Sequence, residues 1–566
     1  MKAGKMKTSA VMLAVIMVIA AATAWAAYHH EGEKDAGKFL AIHPEKAGTK
    51  LDHCALCHRG GQYTSGGKTT VLGSCQWCHY TYGYNGAGNI ADTMNAYGAA
   101  FKAAGRSNAA ITAIEGDDSD GDTYTNAAEI AAGRFPGDAN DHPGKTIAPF
   151  RVYTRAQLMA LARHTQFLLM NTSRSGDFYA EYAGVAVSDL LADAGIQAVT
   201  ATSITVFSPD GFALNHPLEP VVQADIYHVN GAYPAASYQY SAEADIALNP
   251  SPNGWCDYSA PSCRGRNHLD PINVTNGLRM ILAYMREGAF LDSGLLNTEN
   301  KLDGEGPFRL VPPQKAPSAP DQSSKSANQA VVWPYNNAWD HNAGASTRSV
   351  TIIRVNPLPA GTSDVDTMEA GWNFVDQDRI LIYGAIDSRD ANGNGIFDNE
   401  EGDNDPDPKR ARFRHAKGLH RLMLNVSAGR IENISTRDEK EAGVPTLNRP
   451  AKNFPFGVIG FNVTGLAPGQ TITALLTFPG NVPTNSKYYK LDANNGWREI
   501  AFGSNDGDNV ISLTLTDGDP LTDSDGVANG TIVDPGALGT SDEADEDADE
   551  DHGSSGSCFI TALFSR

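Results

Sequence analysis

The sequence carries the pentapeptide CALCH at residues 54–58 and a second pentapeptide, CQWCH, at residues 75–79. Both follow the pattern C-x-x-C-H, in which two thiols three positions apart can form thioethers with the two vinyl groups of one porphyrin. The histidine that follows is then held beneath the iron as its proximal ligand. One copy alone would also suit a redox dithiol or a zinc site, but two copies about twenty residues apart favour covalent haem. The predicted attachment residues are Cys54, Cys57, His58, Cys75, Cys78 and His79.

The two motifs lie in residues 27–149, which we expect to form a small N-terminal segment packed around its haems. Between the motifs the chain is rich in Gly, Ser and Thr and shows no apolar period, so it can bury little surface of its own. Each iron needs a sixth ligand. We predict two bis-histidine haems, with His43 capping the first and His53 reaching the neighbouring one, while Met94 is the main alternative at the second haem. Further candidates are His29, His30 and His142.

The first 26 residues have the pattern of a secretory signal. Lys2, Lys5 and Lys7 precede an apolar stretch at residues 10–22, and AWA at residues 24–26 is an A-x-A cleavage site. The apolar stretch is shorter than the roughly 20 residues of a spanning helix, which favours cleavage over an uncleaved anchor. No later stretch is long and apolar enough to span a bilayer. We therefore expect a periplasmic location, or one outside the cell or on its outer surface.

Length and charge limit the classes of function. A chain of 566 residues exceeds one hydrophobic core, so several domains are expected. The net charge of -22 at pH 7 repels nucleic acids and anionic membranes, and it suits cationic partners or metal ions. No basic patch interrupts this pattern, so we expect no nucleic-acid partner.

Two acidic loops have the spacing of calcium-binding loops. Residues 118–129, DSDGDTYTNAAE, place oxygen ligands at positions one, three, five, nine and twelve, although Thr123 stands where an EF-hand has glycine. Residues 390–401, DANGNGIFDNEE, have glycine at position six and glutamate at position twelve. The alternative for each is a solvated acidic turn, and the expected role of bound calcium is structural. The predicted ligands are Asp118, Asp120, Asp122, Asn126, Glu129, Asp390, Asn392, Asn394, Ile396, Asp398 and Glu401.

The rest of the chain divides by pattern. Residues 150–386 alternate short strands with one or two helices, which predicts a mixed α+β or mostly β domain. Residues 387–452 hold the second acidic loop and a connecting region, and residues 453–537 predict an antiparallel β-sandwich. Residues 538–566 form an acidic linker and tail. Of the seven cysteines, Cys256 and Cys263 are expected to form a local disulfide, and Cys558 is left over as a processing or intermolecular site.

Four segments carry a resemblance to known families. GVAVSDLLADAG at 184–195, VFSPDGF at 206–212, ILAYMREG at 281–288 and GEGPFRLVPP at 304–313 are together similar to the molybdopterin-binding fold of sulfite-oxidase-type enzymes. Joined to the two haem motifs, residues 38–430 resemble the bacterial GEGP motif-containing dihaem proteins, which implies a dihaem cytochrome. Sulfite oxidases ligate molybdenum with a cysteine in a short segment. Cys256 and Cys263 lie in a different kind of sequence, and this departure argues against a molybdopterin centre.

Two further features bear on binding and location. Residues 515–536 are similar to a surface-protein module that precedes sorting tails, and their aspartates offer another, looser calcium loop. The tail that begins CFIT at residue 558 resembles short C-terminal sorting boxes, which implies association with the cell surface. In the middle domain several polar or aromatic residues are candidates to line a pocket, the alternative being mutual pairing in a buried turn. They are Glu305, Arg309, Trp333, Asp340, His341 and Arg354.

These patterns favour an electron carrier over a catalyst. No Ser/His/Asp or Cys/His catalytic arrangement and no phosphate-binding glycine loop is legible in the sequence. We expect an exported dihaem c-type cytochrome that passes electrons between a partner cytochrome and a terminal acceptor. The alternatives are a haem-linked oxidoreductase acting on a small molecule in the middle domain, and a calcium-stabilised surface binding protein.

Overall fold

A computed structural model of the chain is mostly β, with 34% strand and 16% helix arranged in several sheets. Contacts divide it into two compact units: a first unit of residues 1–389 and 397–399, and a second unit of residues 390–396 and 400–566. The expected mostly β, multidomain character is thus confirmed. No helix in the described ranges is both long and apolar enough to cross a membrane. The structure describes residues 34–46, 51, 54–65, 68–82, 87–172, 177–209, 212–220, 226–231, 233, 239–240, 262, 265–267, 269–272, 277–292, 295–296, 302–316, 318, 320–321, 336–364, 378–394, 396–402, 405–441, 444–492 and 496–540.

Several sequence-based predictions concern residues outside these ranges. They are the signal peptide at residues 1–26, His29, His30, His53, Cys256, Cys263, Trp333, Cys558 and the tail from residue 541 onward. The side chains of Cys75 and His79 also lie outside the described part, although their backbone is described.

The N-terminal part of the first unit is made of short helices and one hairpin. Its apolar core joins Phe39, Leu56, Tyr97, Phe101 and Ile111. Polar side chains begin several of the helices, because Asn95, Ser107 and Thr125 each accept a hydrogen bond from a backbone N–H in the first turn. The elements are α1 (Lys34–Ile42), β1 (Gly61–Ser65), β2 (Lys68–Leu72), α2 (Ser74–Thr81), α3 (Ala96–Ala103), α4 (Asn108–Ile114) and α5 (Asn126–Ala131).

The remainder of the first unit contains two five-stranded sheets that contribute to one apolar core. One sheet has the order β10-β9-β6-β5 with β13 also paired to β9, and the other has the order β4-β16-β14-β7-β8. Only the β14–β16 pairing among these is parallel. The strands are β3 (Thr146–Ile147), β4 (Phe150–Thr154), β5 (Arg163–Met170), β6 (Phe178–Ala186), β7 (Ser203–Phe207), β8 (Ala213–Pro217), β9 (Ile281–Arg286), β10 (Ala289–Phe290), β11 (Leu295–Leu296), β12 (Leu302–Asp303), β13 (Arg309–Val311), β14 (Ile352–Asn356), β15 (Thr362–Ser363) and β16 (Arg379–Gly384), and the helices are α6 (Arg155–Ala160) and α7 (Val187–Asp193).

The second unit has two antiparallel sheets whose alternate side chains share one core. The orders are β17-β18-β21-β24 and β19-β20-β25-β22-β23. Strands β17, β18 and β19 fall in residues 387–452, the stretch expected to hold a connecting region. RARFR at 410–414 and RLMLNV at 421–426 alternate buried and less buried residues, as strands on the face of a sheet do. The two strands pair with each other in the four-stranded sheet. The elements are α8 (Asp398–Glu401, at the division between the units), β17 (Arg410–Arg414), β18 (Arg421–Val426), β19 (Arg430–Arg437), β20 (Val458–Thr464), β21 (Thr471–Thr477), β22 (Lys487–Asp492), β23 (Gly496–Ile500), β24 (Val510–Thr516) and β25 (Ile532–Gly539).

Candidate functional site

The CALCH motif lies on the wall of a cavity of about 350 Å³ in the first unit. This volume falls within the roughly 300–1,000 Å³ of ligand pockets in proteins. Cys54, Cys57 and His58 all line the cavity, and both cysteines are half-buried thiols. The other lining residues are mainly apolar, with three charged side chains among them. They are Ala36, Phe39, Leu51, Leu56, Ile90, Met94, Tyr97, Gly98, Phe101 and Ile111, together with Asp35, Lys102 and Arg106.

A hydrogen-bond chain selects the tautomer of His58. The Thr93 hydroxyl donates to the Ile90 carbonyl at 2.8 Å, and the same oxygen lies 2.9 Å from His58 Nδ1. Because a hydroxyl has one proton, Thr93 Oγ1 must accept from His58, so Nδ1 carries the hydrogen. The lone pair of the neutral ring is then on Nε2, the nitrogen that an iron would bind.

The residue that caps the start of α3, Asn95, is hydrogen-bonded to the CALCH turn. The Asn95 amide nitrogen Nδ2 donates to the Ala55 and Leu56 carbonyls, both at 3.0 Å, and its backbone N–H donates to the Cys57 carbonyl at 3.0 Å. Asn95 Oδ1 meanwhile accepts from the Gly98 N–H at 2.8 Å as the helix N-cap. A Cβ on Gly98 would lie 2.1 Å from the Cys57 oxygen, so this close approach requires glycine.

The candidate sixth ligands have different positions. Met94 lines the cavity of the first motif, and its backbone forms an isolated antiparallel bridge with His58. Because bridged residues lie side by side, Met94 is a neighbour of His58 and lies on the same side of the cavity as that histidine. His43 is outside the cavity lining, packed on the Phe39 ring, with Nε2 3.3 Å from Glu115 Oε1. The ring of His142 stacks on Tyr124 with the centroids 5.1 Å apart.

The second motif lies in α2, next to the β1–β2 hairpin. The Trp77 ring covers Gly61, where a Cβ would lie 2.3 Å from the indole. The Tyr80 ring stacks on Tyr63 at 4.4 Å and on Trp77 at 5.6 Å between centroids. Leu72 at the end of β2 forms a bridge with Phe212, which joins the hairpin to the larger part of the first unit.

The acidic loop at residues 118–129 is folded by a ladder of Asx turns. Asp118 Oδ1 accepts from the N–H groups of Gly121 and Asp122, at 2.7 and 3.2 Å. Asp120 Oδ1 accepts from Asp122 N–H at 3.3 Å, and Asp122 Oδ1 accepts from Tyr124 N–H at 2.8 Å. One carboxylate oxygen from each of the three aspartates lies within 4.8 Å of the others. Hard divalent cations such as calcium prefer such a convergence of carboxylate oxygens.

Burial and mutual repulsion change the acidity of this loop. Burial, together with the charges of Asp120, Asp122 and Asp118, raises the pKa of Glu129 to about 8. Burial and the charge of Asp122 likewise raise the pKa of Asp120 to about 6. A bound cation would relieve this repulsion and favour the ionised carboxylates.

The loop in the second unit repeats the same ladder. Asp390 Oδ1 accepts from Asn394 N–H at 3.1 Å, Asn392 Oδ1 from Asn394 N–H at 3.1 Å, and Asn394 Oδ1 from Ile396 N–H at 2.8 Å. The carboxylate of Glu401 is buried and accepts from the Asn394 amide at 2.8 Å and from the Asn392 amide at 3.3 Å. Two loops of unrelated surroundings therefore adopt one local geometry at the predicted positions.

Two predicted ligands also have other contacts. The buried Asn126 amide donates to the Ile114 carbonyl at 2.6 Å and to Ser119 Oγ at 2.9 Å. Asp398 belongs to the first unit, where its backbone N–H donates to the Arg389 carbonyl at 2.7 Å. In the looser third loop, Asp517 and Asp523 accept backbone hydrogen bonds, from Gly469 at 2.7 Å and from Val533 at 3.0 Å respectively.

The polar candidates of the middle region pair with protein groups. Glu305 forms ion pairs with Arg286 at 2.8 Å and Arg309 at 2.9 Å. Burial acts to raise the pKa of Glu305, but the two guanidinium groups hold it below its ordinary value. Arg354 pairs with Asp364 at 2.6 Å. In addition, His341 Nε2 lies 3.4 Å from Asp321, and Asp340 accepts from the Tyr227 hydroxyl.

Comparisons with protein-family models, curated proteins and solved structures found no match to this chain. Sequence reasoning missed Thr93, Asn95 and Gly98, which complete the surroundings of the first motif. The pattern TMN at 93–95 ahead of a helix is the one signal that could have located the N-cap.

Proposed function

We propose that this chain is an exported dihaem c-type cytochrome that transfers electrons in the periplasm or at the cell surface. The observation that carries the proposal is the cavity beside the first motif, where two cysteine thiols and a histidine with its hydrogen on Nδ1 and its lone pair on Nε2 meet apolar walls. A covalently attached porphyrin needs all three groups together. Its partners would be other redox proteins, such as cytochromes, or a terminal acceptor.

Each residue of the cavity has a definite task in this proposal. Covalent haem supplies the one-electron chemistry of its iron. Cys54 and Cys57 provide the sulfur atoms of the thioethers, and Thr93 orients the proximal imidazole of His58. The apolar walls exclude water and so disfavour the more highly charged oxidation state of an enclosed metal. Lys102 is a cation that suits the carboxylates of a porphyrin, whereas Arg106 already pairs with Asp35 at 2.5 Å.

The finer architecture belongs to the same proposal. The N-terminal segment would be completed by its haems, and the two sheets of the second unit would form a β-sandwich around their shared core. The resemblance of residues 38–430 to GEGP motif-containing dihaem proteins supports the electron-transfer role. Calcium in the two loops would have a structural role, since the ladders of Asx turns present oxygen atoms at the positions that calcium uses.

The test is to express the full chain in a host that attaches c-type haem. A pyridine haemochrome spectrum should report two haems per chain, and the pigment should resist extraction by acidified acetone. The paired variants Cys54→Ala with Cys57→Ala, and Cys75→Ala with Cys78→Ala, should each retain one haem. Protein that is colourless, or that releases its pigment, would contradict the proposal.

A further inference from the structure

The loop at residues 118–129 buries negative charge that the described protein groups leave without hydrogen bonds. Glu129 is fully buried, with 0% of its surface exposed. Among the described residues of this loop, four buried carboxylate oxygens have no hydrogen-bond partner: Asp120 Oδ2, Asp122 Oδ2, Glu129 Oε1 and Glu129 Oε2. Burying ionised oxygen atoms without partners is costly, so such groups normally bind a cation or a donor. A cation at the three converging aspartates, with Glu129 drawn toward it, would supply the partner that the described protein groups do not.

The same loop closes directly on the end of α4. The backbone N–H of Asn126 donates to the Asp117 carbonyl at 2.8 Å, and the Asn126 amide donates to the Ile114 carbonyl at 2.6 Å. The next residue, Ala127, donates to the Glu115 carbonyl at 2.9 Å. The first turn of α5, which carries Glu129, is therefore tied by three hydrogen bonds to the end of α4 and to the residues that follow it.

Helix α4 is also part of the haem cavity. Ile111 lines the cavity, and Ile114 shares its apolar core with Ile130, the residue after Glu129. Immediately after α4, Glu115 faces His43, the predicted sixth ligand of the first haem. A closely packed interior transmits small displacements. A cation that pulls Glu129 toward the aspartates would therefore also displace α4, which forms part of the cavity wall.

We propose that residues 118–129 bind one Ca²⁺ whose binding is thermodynamically coupled to the redox state of the haem at CALCH. This inference rests on the proposed haem function. A nearby divalent cation favours the iron state that carries one positive charge fewer, so calcium binds the reduced protein more tightly than the oxidised protein. By reciprocity, calcium raises the reduction potential of that haem.

The test uses the full-length holoprotein with Ca²⁺ as the probe and Mg²⁺ as the control ion. Spectroelectrochemical titrations are compared in saturating CaCl₂, in EGTA, and in EGTA with MgCl₂ at matched ionic strength. Calcium should bind the reduced protein at least about fivefold more tightly, which for one electron equals a rise of about 40 mV. The rise should appear in the transition that persists in the Cys75→Ala with Cys78→Ala variant, and it should be absent with Mg²⁺.

Two variants separate the loop from general charge effects. Glu129→Gln keeps the shape of the side chain but removes its charge, and it should abolish the calcium-dependent rise. Asp138→Asn removes an exposed carboxylate outside the loop and should retain the rise. Equal calcium affinity in both oxidation states, or a full response in Glu129→Gln, would overturn the coupling.

If Glu129→Gln fails to fold, the calcium and EGTA titrations of the unaltered protein decide the question alone. A missing haemochrome would contradict the proposed function together with the coupling, and it is seen before any titration begins. A normal haemochrome with no calcium effect contradicts the coupling only. The two failures are therefore distinguishable.

Discussion

Thr93 contacts His58, the proposed haem ligand, although it lies far from the cysteine motif in the sequence. It lies 35 positions after His58, yet its oxygen accepts the Nδ1 proton of that ring. When Nδ1–H of an imidazole donates to an acceptor, Nε2 becomes more basic. A more basic Nε2 stabilises the oxidised state of the metal that it would bind. The reduction potential of the first haem is therefore expected to depend on one hydroxyl.

Replacing Thr93 by valine tests this dependence. Thr93→Val keeps the shape but removes the acceptor, so the potential of the first haem should rise, and the free energy of unfolding should fall by about 1–3 kcal/mol. Redox titration and urea unfolding measure the two effects. The matched change Thr112→Val lies on the exposed side of α4 and should alter neither quantity. An unchanged potential in Thr93→Val would remove Thr93 from the proposal.

His415 predicts a pH dependence in the second unit. Burial, together with the neighbouring charges of His420 and Lys417, lowers the pKa of His415 to about 4. His415 Nδ1 also accepts from Lys417 N–H at 3.2 Å, a contact that protonation would break. The unfolded histidine binds a proton below about pH 6.5, whereas the folded one resists it until about pH 4. The contribution of His415 to the free energy of unfolding is therefore fully present above pH 6.5. It is lost as the pH falls to 4, and the loss is at most about 3 kcal/mol.

The variant His415→Asn keeps an acceptor near Nδ1 but cannot take up a proton. Between pH 6.5 and pH 4 the free energy of unfolding should decrease less in this variant than in the unaltered chain. Hydrogen exchange in the sheets of the second unit measures this decrease. His142→Asn, in the first unit, should leave this difference unchanged. Identical pH profiles for His415→Asn and the unaltered chain would contradict the assignment.

At the scale of elements, α3 determines the shape of the first motif. The N-cap Asn95 binds the carbonyl groups of the CALCH turn, and Gly98 lets the helix approach the Cys57 carbonyl. This contact joins a helix start to a cysteine turn, two elements that are separated along the chain. The relative position of the two thiols therefore depends on a helix that contains no cysteine.

A methyl group at residue 98 should separate these elements. In Gly98→Ala the new Cβ would meet the Cys57 oxygen, so α3 must move and haem attachment at the first motif should decrease strongly. Mass spectrometry of the intact chain would then show a larger share of protein with a single haem. Gly116→Ala adds a methyl group where no atom lies within 4 Å and should keep both haems. Full attachment in Gly98→Ala would show that this contact is dispensable.

At the scale of the whole molecule, the second unit has an apolar core of its own. Its two sheets contribute inward-facing residues from both sides of the cluster, including Phe413, Leu424, Phe461 and Leu513. A separate core is the property that allows part of a chain to fold alone. We therefore expect residues 390–540 to unfold as a cooperative unit.

Expression of residues 390–540 alone tests this expectation. The fragment should be rich in β structure, contain no haem, and show cooperative thermal unfolding through its buried Trp497. EGTA should lower the unfolding temperature if the loop at residues 390–401 binds calcium, because a ligand stabilises the state that binds it. Glu401→Gln should remove this dependence on EGTA. A fragment without cooperative unfolding would show that the second unit requires the rest of the chain.

The success of sequence reasoning differed between the sites. The positions of the two acidic loops follow from the spacing of their oxygen atoms, and both adopt the same ladder of Asx turns. The strands β17 to β19 were less legible, because their charged residues resemble those of a connecting region. Their pairing depends on partners that lie later in the chain.

The sequence by itself determined the chemistry of the cysteine pairs and acidic loops, because each pattern needs only a few consecutive residues. Tertiary structure alone decided which distant groups complete them. Thr93, Asn95 and Gly98 reach the first motif, and α4 links the acidic loop to the same cavity, through contacts between separate helices. Such contacts form when apolar faces pack, and their geometry is not written in any local spacing.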